Sequence, residues 1–399
     1  MHTPHATRSF VSRRRPAAVA LTAVTALAGT GVALLLSSGT PVRAAGGPMP
    51  RFEVDAAWPP ALPNGWVMGD ASSIAVDKRD HAFVLSRPRT VAAEHKDHAA
   101  PAVMEFDQNG KFVKGWGGPG TGFDWPDTEH GIYIDSKDHV WIGGNNPIAQ
   151  LRLTPRSDDM LLKFSLDGKF ISQIGGRDKS KGNTDPNNPK EPADIFVDAK
   201  TNEAYIADGY GNRRVLVLDA DSGKFKRMWG AFGNKPLDPP PAPSAPAAGA
   251  APAGPPALET TGRGPEQFGI VHSVEVSKDG FVYVADRANR RVQVFKTDGT
   301  YVNQVFINRG VSSPNTAAGI AFSPDPQETY LYVADFGNAK VVIVRRATLE
   351  VLGEFGALGN KPGQFQNIHH IAVDSRGNLY TAEVAPGRRV QRFMFKGIS

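Results

Sequence analysis

Apolar and polar positions alternate with a period of two in short runs along most of the chain, and the runs are separated by Asp/Gly turns. The clearest case is Gln267 to Phe295, QFGIVHSVEVSKDGFVYVADRANRRVQVF. IVHSVEV alternates, KDG turns the chain, FVYVAD alternates again, and RVQVF opens a third run beyond a second turn. That is the pattern of consecutive antiparallel strands. The same text recurs as EHGIYIDSKDHVWIGG from Glu129, PADIFVDAKTNEAYIADGYGNRRVLVL from Pro192, AAGIAFSPDPQETYLYVADFGNAKVVIV from Ala317 and IHHIAVDSRGNLYTAE from Ile368. Self-similarity at roughly 40 to 50 residues, with four short strands per unit, predicts an all-β fold of the β-propeller type.

Units of this text begin near Asp70, Glu129, Glu191, Gly269, Asn315 and Asn367, so the expected ring has six blades. Outer strands are legible in VMEFDQNGKFVKGWG, LLKFSLDGKFISQIG and VLVLDADSGKFKRMWG, each alternating across a turn. The sixth unit ends after VQRFMFKGIS and lacks a fourth strand, while RFEVDAAW from Arg51 is a spare strand at the other end of the chain. Pairing the two would close the ring and remove its exposed edges. Residues 45–399 are therefore expected to form one propeller domain, interrupted by inserts at Val91 to Pro101 and Asn145 to Asp159. A Pro/Ala-rich loop at about 237–264 has a composition unable to bury a core.

Composition changes the picture at the N-terminus. Arg13-Arg14-Arg15, the apolar stretch from Ala17 to Leu36 and the small-residue site Val42-Arg43-Ala44 make residues 1–44 an export leader. Arg13 and Arg14 follow Ser12 as in a twin-arginine signal, but Pro16 stands where such signals carry an apolar residue, so both export routes stay open. A cut leader delivers a periplasmic or extracellular protein; an uncut one would anchor it in the membrane. The formal charge of +5 belongs to this leader, which holds five Arg and no acid, leaving 40 basic against 40 acidic residues. No Lys/Arg stripe with interleaved aromatics follows, so nucleic acid is not an expected partner. The absence of Cys excludes disulfides, thiolate ligands and a thiol nucleophile, so any metal must be held by His, Asp or Glu.

Aligning the units on their first strand exposes the candidate chemistry. The residue two before the first Ile or Val is Ser72, His130, Ala193, His272, Ala318 and His369 in order: small, then histidine, alternately. In a propeller the first strands run beside the central channel, so three histidines in alternate blades would converge on its axis. Three imidazoles with an open position suit a catalytic zinc, and also iron, manganese or nickel. His81 and His139 occupy matching turns between strands and are expected to be solvated. Gly115, Gly117 and Gly120 spell GxGxxG but open no helix, which excludes dinucleotide binding.

The repeat text, with EHGIYID, IADGYGNRRVLVLD, IVHSVEVSKDGFVYVADRANRRVQVF and IHHIAVD, resembles the NHL-repeat family of peptidyl-α-hydroxyglycine α-amidating lyases over nearly the whole mature chain. That resemblance implies a six-bladed propeller with zinc on His130, His272 and His369. It implies a catalytic Tyr210, from DGY followed by Asn and Arg, and substrate-holding roles for Arg287 and Arg87. The expected activity is cleavage of a hemiaminal C–N bond to an amide and glyoxylate by a monomer acting on a peptide or small molecule. One residue departs from the pattern: the family carries Asp after the third histidine, tied to a structural calcium, and this chain has His370. An imidazole does not replace a carboxylate at calcium. Two alternatives use the same fold: a metal-dependent hydrolase of an ester or lactone, and a non-catalytic propeller that binds a partner.

Overall fold

The computed structural model describes residues 47–146, 154–238, 260–311 and 315–399. The expected leader and most of the expected Pro/Ala-rich loop lie outside these residues. Six four-stranded antiparallel sheets form the propeller. Within each of the first five blades the strands bond in chain order, and the first strands are Asp70–Val76, Glu129–Ile134, Asp194–Asp198, Val271–Val276 and Ala317–Phe322. The sixth blade starts with Ile368–Val373 and is completed by Pro50–Val54, which pairs with Arg389–Ile398, so the ring is closed by the N-terminal strand as expected. Among the described residues no helix is long and apolar enough to cross a membrane.

The first strands pack against one another around the axis, each touching its two ring neighbours. Their side chains and those of the middle strands meet the adjacent blade, and the apolar core consists of six clusters, one for each blade interface. A typical wedge joins Tyr205, Val217 and Trp229 of the third blade to Val274, Val284 and Phe295 of the fourth. Each such side chain contributes on the order of 1.5–3 kcal/mol by leaving water.

Turns between first and second strands are shaped by aspartates. Asp77 Oδ1 accepts the backbone N–H groups of Arg79 and His81 at 2.8 and 3.0 Å, and Asp135 Oδ1 those of Lys137 and His139 at 2.9 Å each. The turn histidines are not the freely solvated groups expected from sequence. His81 Nδ1 lies 2.7 Å from Glu105 Oε1 and His139 Nδ1 lies 3.1 Å from Asp135 Oδ2, because each turn folds its histidine back over a carboxylate.

Closure rests on Phe52, whose ring packs at 5.5, 5.2 and 6.1 Å from Tyr332, Phe355 and Phe395. Phe52→Ala should therefore destabilise the protein by up to about 3 kcal/mol, measured by denaturant unfolding. An unchanged midpoint would mean that the N-terminal strand does not hold the ring.

Candidate metal centre and channel mouth

Five of the six first strands carry a β-bulge near their beginning, seen as register breaks between Ala71 and Ser73, Glu129 and Ile132, Val271 and Ser273, Ala317 and Ile320, and Ile368 and His370. A bulge sets two residues against one and re-aims a side chain. It falls at the position where sequence alignment finds the alternating histidines. Space around the axis is short: a Cβ on Gly131 would meet Ala193 O at 2.5 Å, and one on Gly319 would meet His370 Cα at 2.7 Å. Only glycine lets the neighbouring backbones approach this closely there.

His130, His272 and His369 do converge. Each is almost wholly buried, their ring centroids are 4.5–5.0 Å apart, and their ligand atoms all lie within 4.8 Å of one another. His130 Nδ1 meets Ala193 O at 2.7 Å and His369 Nδ1 meets Ser72 O at 2.6 Å. Donation to those carbonyls leaves Nε2 of both rings as a lone-pair donor. His272 Nε2 stands 3.2 Å from His369 Nε2. Two imidazole nitrogens bound to one tetrahedral zinc lie about 3.4 Å apart, so the donor set fits that ion; iron, manganese and nickel accept the same ligands. Burial holds all three histidines well below their ordinary pKa, with Arg87 adding to the effect at His130, Arg287 at His272 and His130 at His369. The ligand-competent neutral form is thus favoured.

A second trio, Asp77, His81 and Glu105, also clusters. Arg79 already occupies it, with Nη2 at 2.5 Å from Asp77 Oδ2 and 3.1 Å from Glu105 Oε1. It is an ion-pair network.

Because each second strand returns antiparallel to the first, residues at or just past its end gather where the first strands begin. Arg87, Tyr210, Arg287 and His369 consequently line one cavity of about 660 Å³ at this mouth. Tyr210 Oη is 3.0 Å from His130 Nε2. A Cβ on the preceding Gly209 would meet Val271 O at 2.0 Å, which accounts for glycine before the tyrosine. Arg87 Nε donates to Glu129 O at 2.7 Å, and burial draws its pKa down.

Arg287 is not paired with its neighbour Asp286. That carboxylate binds Arg291 Nε at 2.9 Å and the backbone N–H of Gly269 at 2.8 Å. Asp208 does the same with Arg214 Nε and Lys190 N, each at 2.7 Å. Arg287 instead packs on the rings of Tyr210 and Phe336, at 5.4 and 5.3 Å from their centroids, and its Nε has no hydrogen-bond partner. Stacking of this kind orients a cation without using its donors. Phe336, Lys190 and Arg213 also line the mouth, and the two cations add to Arg87 and Arg287 in a positive excess that the histidine pattern does not reveal. The alignment of VADF at Phe336 with VADR at Arg287 was the available signal for the first of them.

Buried neutral histidines give the folded state a pH dependence of known sign. Between their depressed folded pKa and about 6.5, unfolded histidines bind protons that folded ones do not, so their contribution to stability falls as pH drops below about 6.5. His272→Asn should flatten the slope of metal-free stability against pH in that range, by up to about 1.4 kcal/mol per pH unit. Chemical denaturation in chelator across this range measures the slope. Identical slopes for the two proteins would show that His272 is not held neutral by the fold.

No family model matches the chain. It is 26% identical over 356 residues to NHL repeat-containing protein 3 of Homo sapiens, covering 86% of this chain and 84% of that protein. It is 23% identical over 374 residues to peptidyl-alpha-hydroxyglycine alpha-amidating lyase 1 of Drosophila melanogaster, covering 86% of this chain and 60% of the relative. Against the peptidyl-glycine alpha-amidating monooxygenase of Mus musculus it is 29% identical over 261 residues, 64% of this chain and 22% of that protein. The chain is thus similar, at modest identity, to NHL repeat-containing proteins and amidating lyases, as a lyase-like NHL-repeat propeller.

Proposed function

We propose that this protein is an exported, zinc-dependent lyase that cleaves the C–N bond of a peptidyl-α-hydroxyglycine or a related hemiaminal, giving an amide and glyoxylate. The observation that carries this reading is the meeting of His130, His272 and His369 beside a cavity walled by Tyr210, Arg87 and Arg287. Similarity to amidating lyases supports the reaction class. The leader-like composition of residues 1–44 supports export to the periplasm or beyond.

In this reading the three imidazoles hold zinc, which when bound supplies Lewis acidity toward the hemiaminal oxygen. Arg287, with Nε unengaged by the protein, takes the substrate's carboxylate, and Arg87 adds positive charge across the mouth. Tyr210 receives the proton of the hemiaminal hydroxyl. The electron pair of that O–H bond becomes part of the new C=O of glyoxylate, the C–N bond breaks, and the nitrogen takes a proton to leave as the amide. No external oxidant or reductant is needed. The rings of Phe336 and Tyr210 both pack against the Arg287 guanidinium and orient it.

Metal-loaded protein incubated with a peptidyl-α-hydroxyglycine should release glyoxylate. Tyr210→Phe should lower kcat by roughly 100-fold or more, whereas Arg287→Ala should act chiefly on KM. Absence of glyoxylate at every pH tested, with zinc bound, would rule the lyase reading out.

A further inference from the structure

Beside Tyr210 the mouth carries charged and polar groups that the proposed reaction does not use. The turn from Gly209 to Arg213 follows the second strand of the third blade and packs on Lys190. Gly211 N–H donates to Lys190 O at 3.1 Å, and a Cβ on Gly211 would meet Lys190 Cγ at 2.4 Å. Backbone bonds fix both cations of this rim, since Lys190 N–H donates to Asp208 Oδ1 at 2.7 Å and Arg213 N–H to Asn183 Oδ1 at 2.6 Å. Their charged ends are not so engaged. Lys190 Nζ and the Arg213 guanidinium, both on half-buried residues that line the cavity, make no hydrogen bond or ion pair among the described residues. The next residue shows the contrast, because the Arg214 guanidinium is spent on Asp208 and three loop carbonyls.

Asn212 stands in the same turn and is 1% exposed. Its Nδ2 donates to Asp208 Oδ2 at 2.8 Å, and that carboxylate, paired with Arg214, can only accept, so the orientation of the amide is fixed. Oδ1 is then a buried acceptor, and it has no hydrogen-bond partner. Such an oxygen costs free energy in the protein alone and calls for an N–H from whatever enters the cavity that Asn212 lines. Glu191, the one acid among the lining residues, is 1% exposed and takes Ser157 Oγ at 3.2 Å, so the cavity presents more positive charge than negative.

We propose that Lys190, Arg213 and Asn212 form a subsite for the residue preceding the hydroxyglycine and select an acidic side chain there. The identity of this ligand rests on the lyase reading. In that reading Arg287, from the fourth blade, holds the hydroxyglycine carboxylate and Tyr210 faces its hydroxyl, which leaves the third-blade side of the cavity for the acyl part of the substrate. Asn212 Oδ1 accepts the N–H of the preceding residue, and the carboxylate of that residue lies between the Lys190 ammonium and the Arg213 guanidinium. A neutral side chain leaves both cations without a counter-charge, and a basic one is repelled by them. The substrate class is a peptide whose last residue before the hydroxyglycine is aspartate or glutamate.

Unreactive dipeptides separate this subsite from the chemistry. Zinc-loaded protein titrated by calorimetry at low salt should bind N-acetyl-Glu-Gly roughly tenfold tighter than N-acetyl-Gln-Gly, and the gap should narrow as salt is raised. In the Lys190→Gln/Arg213→Gln double variant the two should bind alike, with N-acetyl-Gln-Gly held as by the wild type. Glutaryl-glycine, which keeps the acid but lacks the N–H, should bind the wild type more weakly than N-acetyl-Glu-Gly. Equal affinities for the two dipeptides in the wild type, a preference that survives in the double variant, or no binding of either would overturn the subsite. The lyase reading is judged apart from it. Glyoxylate released equally well from Glu- and Gln-α-hydroxyglycine peptides would leave the reaction standing and refute the acidic preference, whereas a binding preference without glyoxylate from either peptide would leave the acid-selective pocket and remove the lyase.

Discussion

The mouth of the channel depends on buried carboxylates at the ends of the second strands. Asp208, Asp286 and Glu383 each bind an arginine of the following strand, respectively Arg214, Arg291 and Arg389, at 2.7–2.9 Å. They also accept backbone N–H groups from the segments that lead into the first strands: Lys190 for Asp208, Gly269 for Asp286 and Gln366 for Glu383. The guanidinium groups are spent in turn on loop carbonyls, as when Arg214 reaches Asn183 O, Asp185 O and Asn188 O. Buried charges so fully engaged resist separation, because removing either partner strands the other and typically costs about 3–5 kcal/mol. The residues that follow, Tyr210 and Arg287, are thereby presented to the channel on a fixed frame, which is what a preorganised site requires.

Crowding at the axis does the rest. Gly131 and Gly319 allow adjacent backbones to touch, and both lie within the register breaks of their first strands. One short run of sequence also reaches both ends of the hole. His369 lines the mouth, and His370, its direct neighbour, lines a cavity of about 320 Å³ at the other end.

Much of this was legible in the sequence, for physical reasons. Period-two alternation and Asp/Gly turns gave the strands, the missing fourth strand of the last unit gave the closure by Pro50–Val54, and alternate-blade spacing gave the histidine trio. What stayed hidden depends on contacts that no local pattern encodes. The partner of Asp286 is Arg291 rather than the adjacent Arg287, a choice made by the turn between them. The direction of His370 follows from a bulge, and bulges leave no mark in binary patterning. His81 and His139 looked solvated because their carboxylate partners depend on how the turns fold back. Phe336 escaped notice because an aromatic residue in such repeats usually reports packing.

The pairing of Pro50–Val54 with Arg389–Ile398 joins segments more than 330 residues apart in the chain. Contacts this remote form late and slowly, since a long loop must close before they return any stabilisation. Once the last blade is zipped, no other blade can swing away from the circle without first peeling that strand. The fold is thereby latched at a single seam, and its lifetime would be governed by the rate at which the seam frays.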